Sequence, residues 1–124
     1  MATTKWANDS VMDAALDKVA TATALRVCSG TSSPTTRAAA VTATLATAAL
    51  TSGDFEKADG ATSGRKVTVA QKATITIDTS GDATCVCLDD GTDLLFVTTC
   101  TTQTLTAGGT VTVPTWSDTI SDPS

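Results

Sequence analysis

Threonine and small aliphatic residues alternate along much of this chain, and this alternation restricts its possible folds more than any other feature. Threonine makes up 28 of the 124 residues. Val67 and Val69 are separated by one threonine, as are Val111 and Val113. In a strand, side chains two residues apart share a face, and branched Cβ atoms fit a pleated sheet. The pattern therefore predicts a mainly β chain.

Turn signals divide the chain into short strands. Ser-Gly, Asp-Gly and Gly-Gly pairs recur between the alternating runs, from about residue 24 to about residue 120. Gly and Asp favour tight turns. We expect an antiparallel β-sandwich or barrel of about seven to eight short strands, in a single domain over residues 1–124.

A helical pattern precedes the first strand. Asn8 is a favourable N-cap, and apolar residues then recur at helical spacing. We predict one N-terminal α-helix over about residues 8–20. Its apolar stripe packs against the sheet of the same chain or, alternatively, docks on a neighbouring subunit. For the second interpretation, the candidate docking residues are Trp6, Val11, Met12 and Leu16.

Segment 37–50 carries two conflicting patterns. Its high Ala content permits a helix, whereas the alternation over residues 41–45 favours a strand. We interpret it as an irregular segment followed by a strand over about residues 44–50.

Charge and composition exclude several functional classes. The net charge is −5, and the eight basic residues form no stripe, so we predict no nucleic-acid binding. The chain contains no His and no Tyr, which removes the usual acid–base side chains, and we predict no catalytic site. The first 25 residues lack a basic segment followed by an apolar run. We therefore expect synthesis in the cytoplasm and no membrane association.

Four cysteines, Cys28, Cys85, Cys87 and Cys100, are the most distinctive chemical groups in the sequence. Their spacing contains no C-x₂-C pair, so we predict neither a metal centre nor a cofactor. Cys28 and Cys100 are both expected at strand ends. They are interpreted as a structural disulfide or as small buried apolar residues.

Cys85 and Cys87 flank a single residue and are expected to share one face of a strand. A hairpin closed at residues 90–91 would place Cys85 opposite Phe96 and Cys87 opposite Leu94. Neither thiol would then face another within the hairpin. One interpretation is that all four cysteines are buried, reduced and inert. We favour the other, in which Cys85 and Cys87 lie at the surface and form intermolecular disulfides.

Four segments, 6–16, 59–69, 94–101 and 105–116, resemble small structural proteins of tailed bacteriophages that infect alphaproteobacteria. The resemblance spans nearly the whole chain, and its motifs are structural. The thiol pair fits virions stabilised by intermolecular disulfides, such as those of certain Agrobacterium-infecting phages. The resemblance implies a capsid decoration or linking protein, assembled in the reducing host cytoplasm and oxidised after lysis.

The resemblance further implies a non-enzymatic protein on the outer capsid surface of the virion. Its partners would be the major capsid protein or other virion proteins, in a homo-oligomer or another multi-copy assembly. A neck, collar or tail-fibre component is the first alternative. A carbohydrate-binding β-sandwich is a weaker alternative, because sugar sites usually offer aromatic platforms and this chain has only two Trp and two Phe.

Overall fold

The computed structural model describes residues 8–60 and 64–120. This part of the chain contains nine strands in three antiparallel sheets, so the mainly β prediction is confirmed, with more strands than expected. None of its helices is long and apolar enough to cross a membrane. In chain order the elements are α1 (Asp9–Val19), β1 (Ala24–Ser29), α2 (Arg37–Thr42), β2 (Thr44–Ala49), a short 3₁₀ turn (Ser52–Asp54), β3 (Phe55–Asp59), β4 (Arg65–Val69), β5 (Lys72–Thr76), β6 (Gly81–Asp89), β7 (Leu94–Leu105), β8 (Thr110–Val113) and β9 (Trp116–Ile120).

The three sheets share one hydrophobic core. The largest sheet has the strand order β2-β1-β6-β7, the second has β3-β4-β9, and the third pairs β5 with β8. The buried residues of this core are Leu, Val, Ile and Ala, and the aromatic side chains Phe55, Phe96 and Trp116 pack only at its margin. A core of small side chains buries little apolar area per residue, which matches the composition.

Helix α1 forms where the sequence predicts it, and its apolar stripe faces the core of its own chain. The Asn8 side chain caps the helix by accepting a hydrogen bond from the Ser10 N–H at 2.8 Å. Met12 and Leu16 are buried, 3% and 0% exposed, so both are core residues and are not available for docking. Val11 points outward and is 65% exposed. The fourth docking candidate, Trp6, lies outside the described residues.

Two ion pairs hold α1 against the second sheet. Arg65 of β4 contacts Asp13 at 2.9 Å, and Lys57 of β3 contacts Asp17 at 2.6 Å. Both carboxylates lie on the polar side of the helix, next to the buried stripe. The helix therefore packs on the sheets of its own chain, which is the first of the two interpretations drawn from the sequence.

The segment interpreted as irregular is a short helix, α2. Its N-cap residue Thr36 accepts a hydrogen bond from the Ala39 N–H at 3.1 Å, and three consecutive alanines follow Arg37. Alanine has the highest helix propensity, and a capped end compensates for the small number of turns. Burial of Ala40 adds a packing contribution that the local sequence does not reveal.

The β6–β7 hairpin pairs in a different register from the one predicted. Cys85 lies opposite Thr99 rather than Phe96, and by the same shift of three residues Cys87 lies opposite Val97. The connection runs over residues 90–93. Its conformation is held by the Asp90 carboxylate, which accepts hydrogen bonds from the Thr92 N–H at 2.9 Å and the Asp93 N–H at 2.7 Å. Since this shift is odd, Phe96 faces the main core rather than the cysteines. A second irregularity, at the Asp89 end of the hairpin, leaves Leu94 on the side of the cysteines, as expected.

Candidate functional site

Three of the four cysteines converge on the outer face of the largest sheet. Cys28 of β1 lies directly opposite Cys85 of β6, and Cys87 follows two residues later on the same face. The three Sγ atoms lie within 4.8 Å of one another. Each residue is at most 2% exposed. We refer to Cys28, Cys85 and Cys87 as the thiol cluster.

Helix α2 covers the thiol cluster. Ala40 is fully buried and packs against the three cysteines. The Cys28 thiol donates to the Ala40 carbonyl oxygen at 3.5 Å. Cys85 and Cys87 are therefore not surface residues, which corrects their interpretation as surface anchors. They share a face, as predicted, but helix α2, in a segment interpreted as irregular, covers that face.

Cys100 lies apart from the thiol cluster, in a bulge of β7. The β6–β7 register shifts here, so that three β7 residues lie opposite Thr84 alone. Cys100 is exposed, and all four cysteines are free thiols. The suggested pair between Cys28 and Cys100 is not formed, because Cys28 is enclosed within the thiol cluster. The alternative in which all four cysteines are buried is also wrong, since Cys100 is accessible.

An ion network borders the thiol cluster at the end of β6. The carboxylate of Asp89, which is 1% exposed, contacts Arg26 Nε at 2.5 Å and Arg37 Nε at 3.3 Å. The Gly91 N–H also donates to this carboxylate, at 3.0 Å. Burial raises the pKa of Asp89, but the hydrogen bonds from Arg26 and Gly91 outweigh it, and the pKa lies below its ordinary value. A charged Asp89 thus joins β1, α2 and β6.

The three thiols of the cluster differ in acidity. The pKa of Cys28 is lowered, because Cys87 donates a hydrogen bond to its sulfur and because Thr44 and the Arg26 charge act in the same direction. The pKa of Cys87 is raised by that same hydrogen bond and by burial. Burial also raises the pKa of Cys85. A thiolate formed at Cys28 is therefore stabilised by the neighbouring thiols.

This arrangement supports metal or disulfide chemistry better than catalysis. Three converging sulfur atoms are ligands that thiophilic metals prefer. A cysteine nucleophile needs access to its substrate, and α2 blocks access to this cluster. The spacing criterion missed the cluster because its third member comes from β1. The sequence did predict that Cys28 lies in a strand, which makes it a candidate third member of the cluster. No local sequence pattern, however, indicated that β1 and β6 are neighbouring strands.

A cleft of about 240 Å³ lies beside β7 and is lined by Trp116. Trp116 stacks on Phe96, with ring centroids 5.5 Å apart. The Trp116 Nε1–H is buried and has no hydrogen-bond partner among the described residues. The stacking covers one face of each ring.

Comparison of this chain with protein-family models, with curated proteins and with solved structures finds no match. The resemblance to phage virion proteins therefore stays a prediction from the sequence.

We expect acid to destabilise the fold through its hydrogen-bonded carboxylates. The pKa of Asp54, like that of Asp89, is lowered, in this case because the Thr51 N–H and Lys72 donate to it. The unfolded chain then binds these protons more tightly than the folded chain does. The stabilisation is complete above the ordinary carboxyl pKa of about 3.9 and is lost as the pH falls through the lower folded-state values.

Urea unfolding measured from about pH 7 to about pH 2 checks this expectation. The free energy of unfolding should decrease steadily below about pH 5. Asp118, whose pKa burial raises, acts in the opposite direction, since its protonation stabilises the fold as the pH falls through its raised pKa. An unfolding free energy that stays constant or increases down to about pH 2 would contradict the expectation.

Proposed function

We propose that this chain is a non-enzymatic structural protein of a tailed-bacteriophage virion, and that it decorates the outer capsid surface and links neighbouring subunits. Two lines of argument support the proposal. The first is the resemblance of four sequence segments to small virion proteins. The second, on which the argument mainly depends, is the long and uncharged edge strand β7.

Strand β7 lies at one edge of the largest sheet, and at 12 residues it is the longest of the described strands. It contains no charged residue and no Pro, and residues 99–104 are exposed. Monomeric proteins usually protect such an edge with charged residues, Pro or a β-bulge, because it is a template for pairing with another chain, and of these β7 has only the bulge at residues 100–102. An edge without charges or Pro is suited to strand addition, in which backbone hydrogen bonds join two chains. β7 is accordingly the surface through which we expect partners to bind.

Cys100 gives this edge a means of covalent linkage. It is exposed in the middle of β7, whereas Cys85 and Cys87 are buried. The pKa of Cys100 is raised by partial burial, so the free thiol is a slow nucleophile at neutral pH. Two copies of Cys100 would become oxidised efficiently only where assembly holds them together. The expected cross-link therefore forms after assembly, with oxygen or glutathione disulfide accepting the two electrons.

Replacing Cys100 with Ser should abolish covalent dimers of the purified protein. At high concentration, the β7 edges of two wild-type chains should pair and hold their Cys100 thiols together. Glutathione disulfide should then yield a species of twice the 12.5 kDa chain mass on non-reducing gels. Cys85→Ser is the matched control and should dimerise like the wild type, because that thiol is covered. A dimer that persists in Cys100→Ser, or a wild type that never dimerises, would contradict the assignment of Cys100 as the linker.

Quantitative mass spectrometry of purified phage particles, combined with cryo-EM, tests the virion assignment itself. A decoration protein is expected in hundreds of copies on the outer surface of the head. About a dozen copies at the portal vertex would instead favour the neck or collar alternative, because ring symmetry limits the number of copies there. Absence of the chain from the particles would overturn the proposal.

A further inference from the structure

The three buried cysteines of this protein lie together, in the thiol cluster. The main core comprises seventeen buried residues and, among the described residues, contains no cysteine. The second, smaller core consists of Cys28, Cys85, Cys87 and Ala40. If these cysteines served only as small apolar residues, they could be distributed over either core. Their convergence at a single point indicates a common chemical role.

The geometry of the thiol cluster is close to that of a three-sulfur metal site. Metal–thiolate bonds of about 2.3 Å place the sulfur atoms of a tetrahedral site about 3.8 Å apart. The Sγ atoms lie within 4.8 Å of one another. Each pair therefore has to close by no more than about 1 Å, which small side-chain rotations can achieve while β1 and β6 stay in register.

The surrounding charges suit an anionic metal–thiolate centre. Arg26 lies opposite Cys87 in the β1–β6 register, and Arg26 and Arg37 share the single carboxylate of Asp89. Two guanidinium groups and one carboxylate leave one net positive charge beside the thiols. A divalent ion bound by three thiolates carries one net negative charge, so the two charges compensate within a buried region where uncompensated charge is costly.

We propose that Cys28, Cys85 and Cys87 bind one thiophilic d¹⁰ metal ion, Zn²⁺ or Cu⁺, under helix α2. Full coordination displaces three protons, one from each thiol, and they are released to solvent. Charge compensation favours Zn²⁺, whereas a set of three sulfur donors, with no fourth ligand among residues 8–60 and 64–120, favours Cu⁺. The proposal is independent of the virion assignment, since it concerns a buried site and not the β7 edge.

Native mass spectrometry of the fully reduced protein, incubated with Zn²⁺ or with Cu⁺ in separate experiments, tests the proposal. We expect one metal ion per chain and a mass that corresponds to the loss of three protons. Variants Cys28→Ser, Cys85→Ser and Cys87→Ser should each lose this stoichiometric binding. Cys100→Ser is the matched control and should retain it. Binding of neither metal, or binding lost only in Cys100→Ser, would overturn the proposal.

A second measurement uses the wild-type protein alone. It therefore tests the proposal even if the substitutions of the buried cysteines unfold the protein. The alkylation rates of the individual thiols are measured by peptide mapping, with and without metal. At a metal concentration of 100 times Kd, labelling of the three clustered thiols through local opening should slow about 100-fold. Cys100 should be labelled at the same rate in both samples. Equal labelling rates for the clustered thiols with and without bound metal would overturn the assignment.

Discussion

Replacing Asp89 with Asn is expected to lower the free energy of unfolding by about 3–5 kcal/mol. The variant keeps the size of the side chain but removes the charge that Arg26 and Arg37 share. Arg26 has a side chain only 14% exposed, so its guanidinium would remain buried without a counter-charge. Breaking a buried ion pair from one side costs more than the pair contributes, because the remaining charge is poorly solvated.

Urea unfolding at neutral pH measures this loss, and Asp59→Asn is the matched control. Asp59 also pairs with an arginine, Arg65, at 2.7 Å, but its side chain is 85% exposed. An exposed pair contributes at most about 1 kcal/mol. The difference between wild type and Asp89→Asn should also shrink in acid, where Asp89 itself becomes protonated. Similar losses in the two variants would show that Asp89 is more solvated than its burial indicates.

Replacing Leu16 with Ala should cost about 2–5 kcal/mol of stability, the range for removing a large side chain from a packed core. Leu16 is fully buried in the main core, where the sequence left open whether it packs internally or docks on a neighbour. Collapse of the surrounding side chains would place the loss at the lower end of this range, and an unrelaxed cavity at the upper end.

Val11→Ala is the control for the exposed side of the same helix. Val11 is 65% exposed, so this substitution should change the stability of the isolated chain by no more than about 0.5 kcal/mol. Thermal unfolding of the two variants gives the comparison. A Leu16→Ala variant as stable as the wild type would mean that α1 leaves the core in solution, and would restore the docking interpretation for its apolar stripe.

The elements that the sequence predicted well depend on local chemistry. Alternation of valine with threonine identified β4 and β8, since side chains two residues apart must share a face of a strand. An N-cap at Asn8 followed by helical spacing identified α1. Helix α2 was missed because its six residues make too few turns to give a clear period, and Ala40 is held mainly by packing.

The candidate site depended on two features that no local pattern contains. One is helix α2, whose Ala40 packs against the three cysteines and covers them. The other is the pairing of β1 with β6, which brings Cys28 opposite Cys85. Without that pairing, the spacing of the cysteines along the chain argues against a metal site, whereas their positions in space favour one.

The pattern of residues along the chain was enough to predict a mainly β fold, one capped helix before the strands, and a shared face for Cys85 and Cys87. These properties follow from the geometry of a few successive residues. The strand that lies beside β6, the helix that covers its outer face, and the exposure of Cys100 became known only from the folded domain. Contacts between distant segments are selected by the packing of the whole domain, so a local pattern can identify a strand face but not what comes to lie against it.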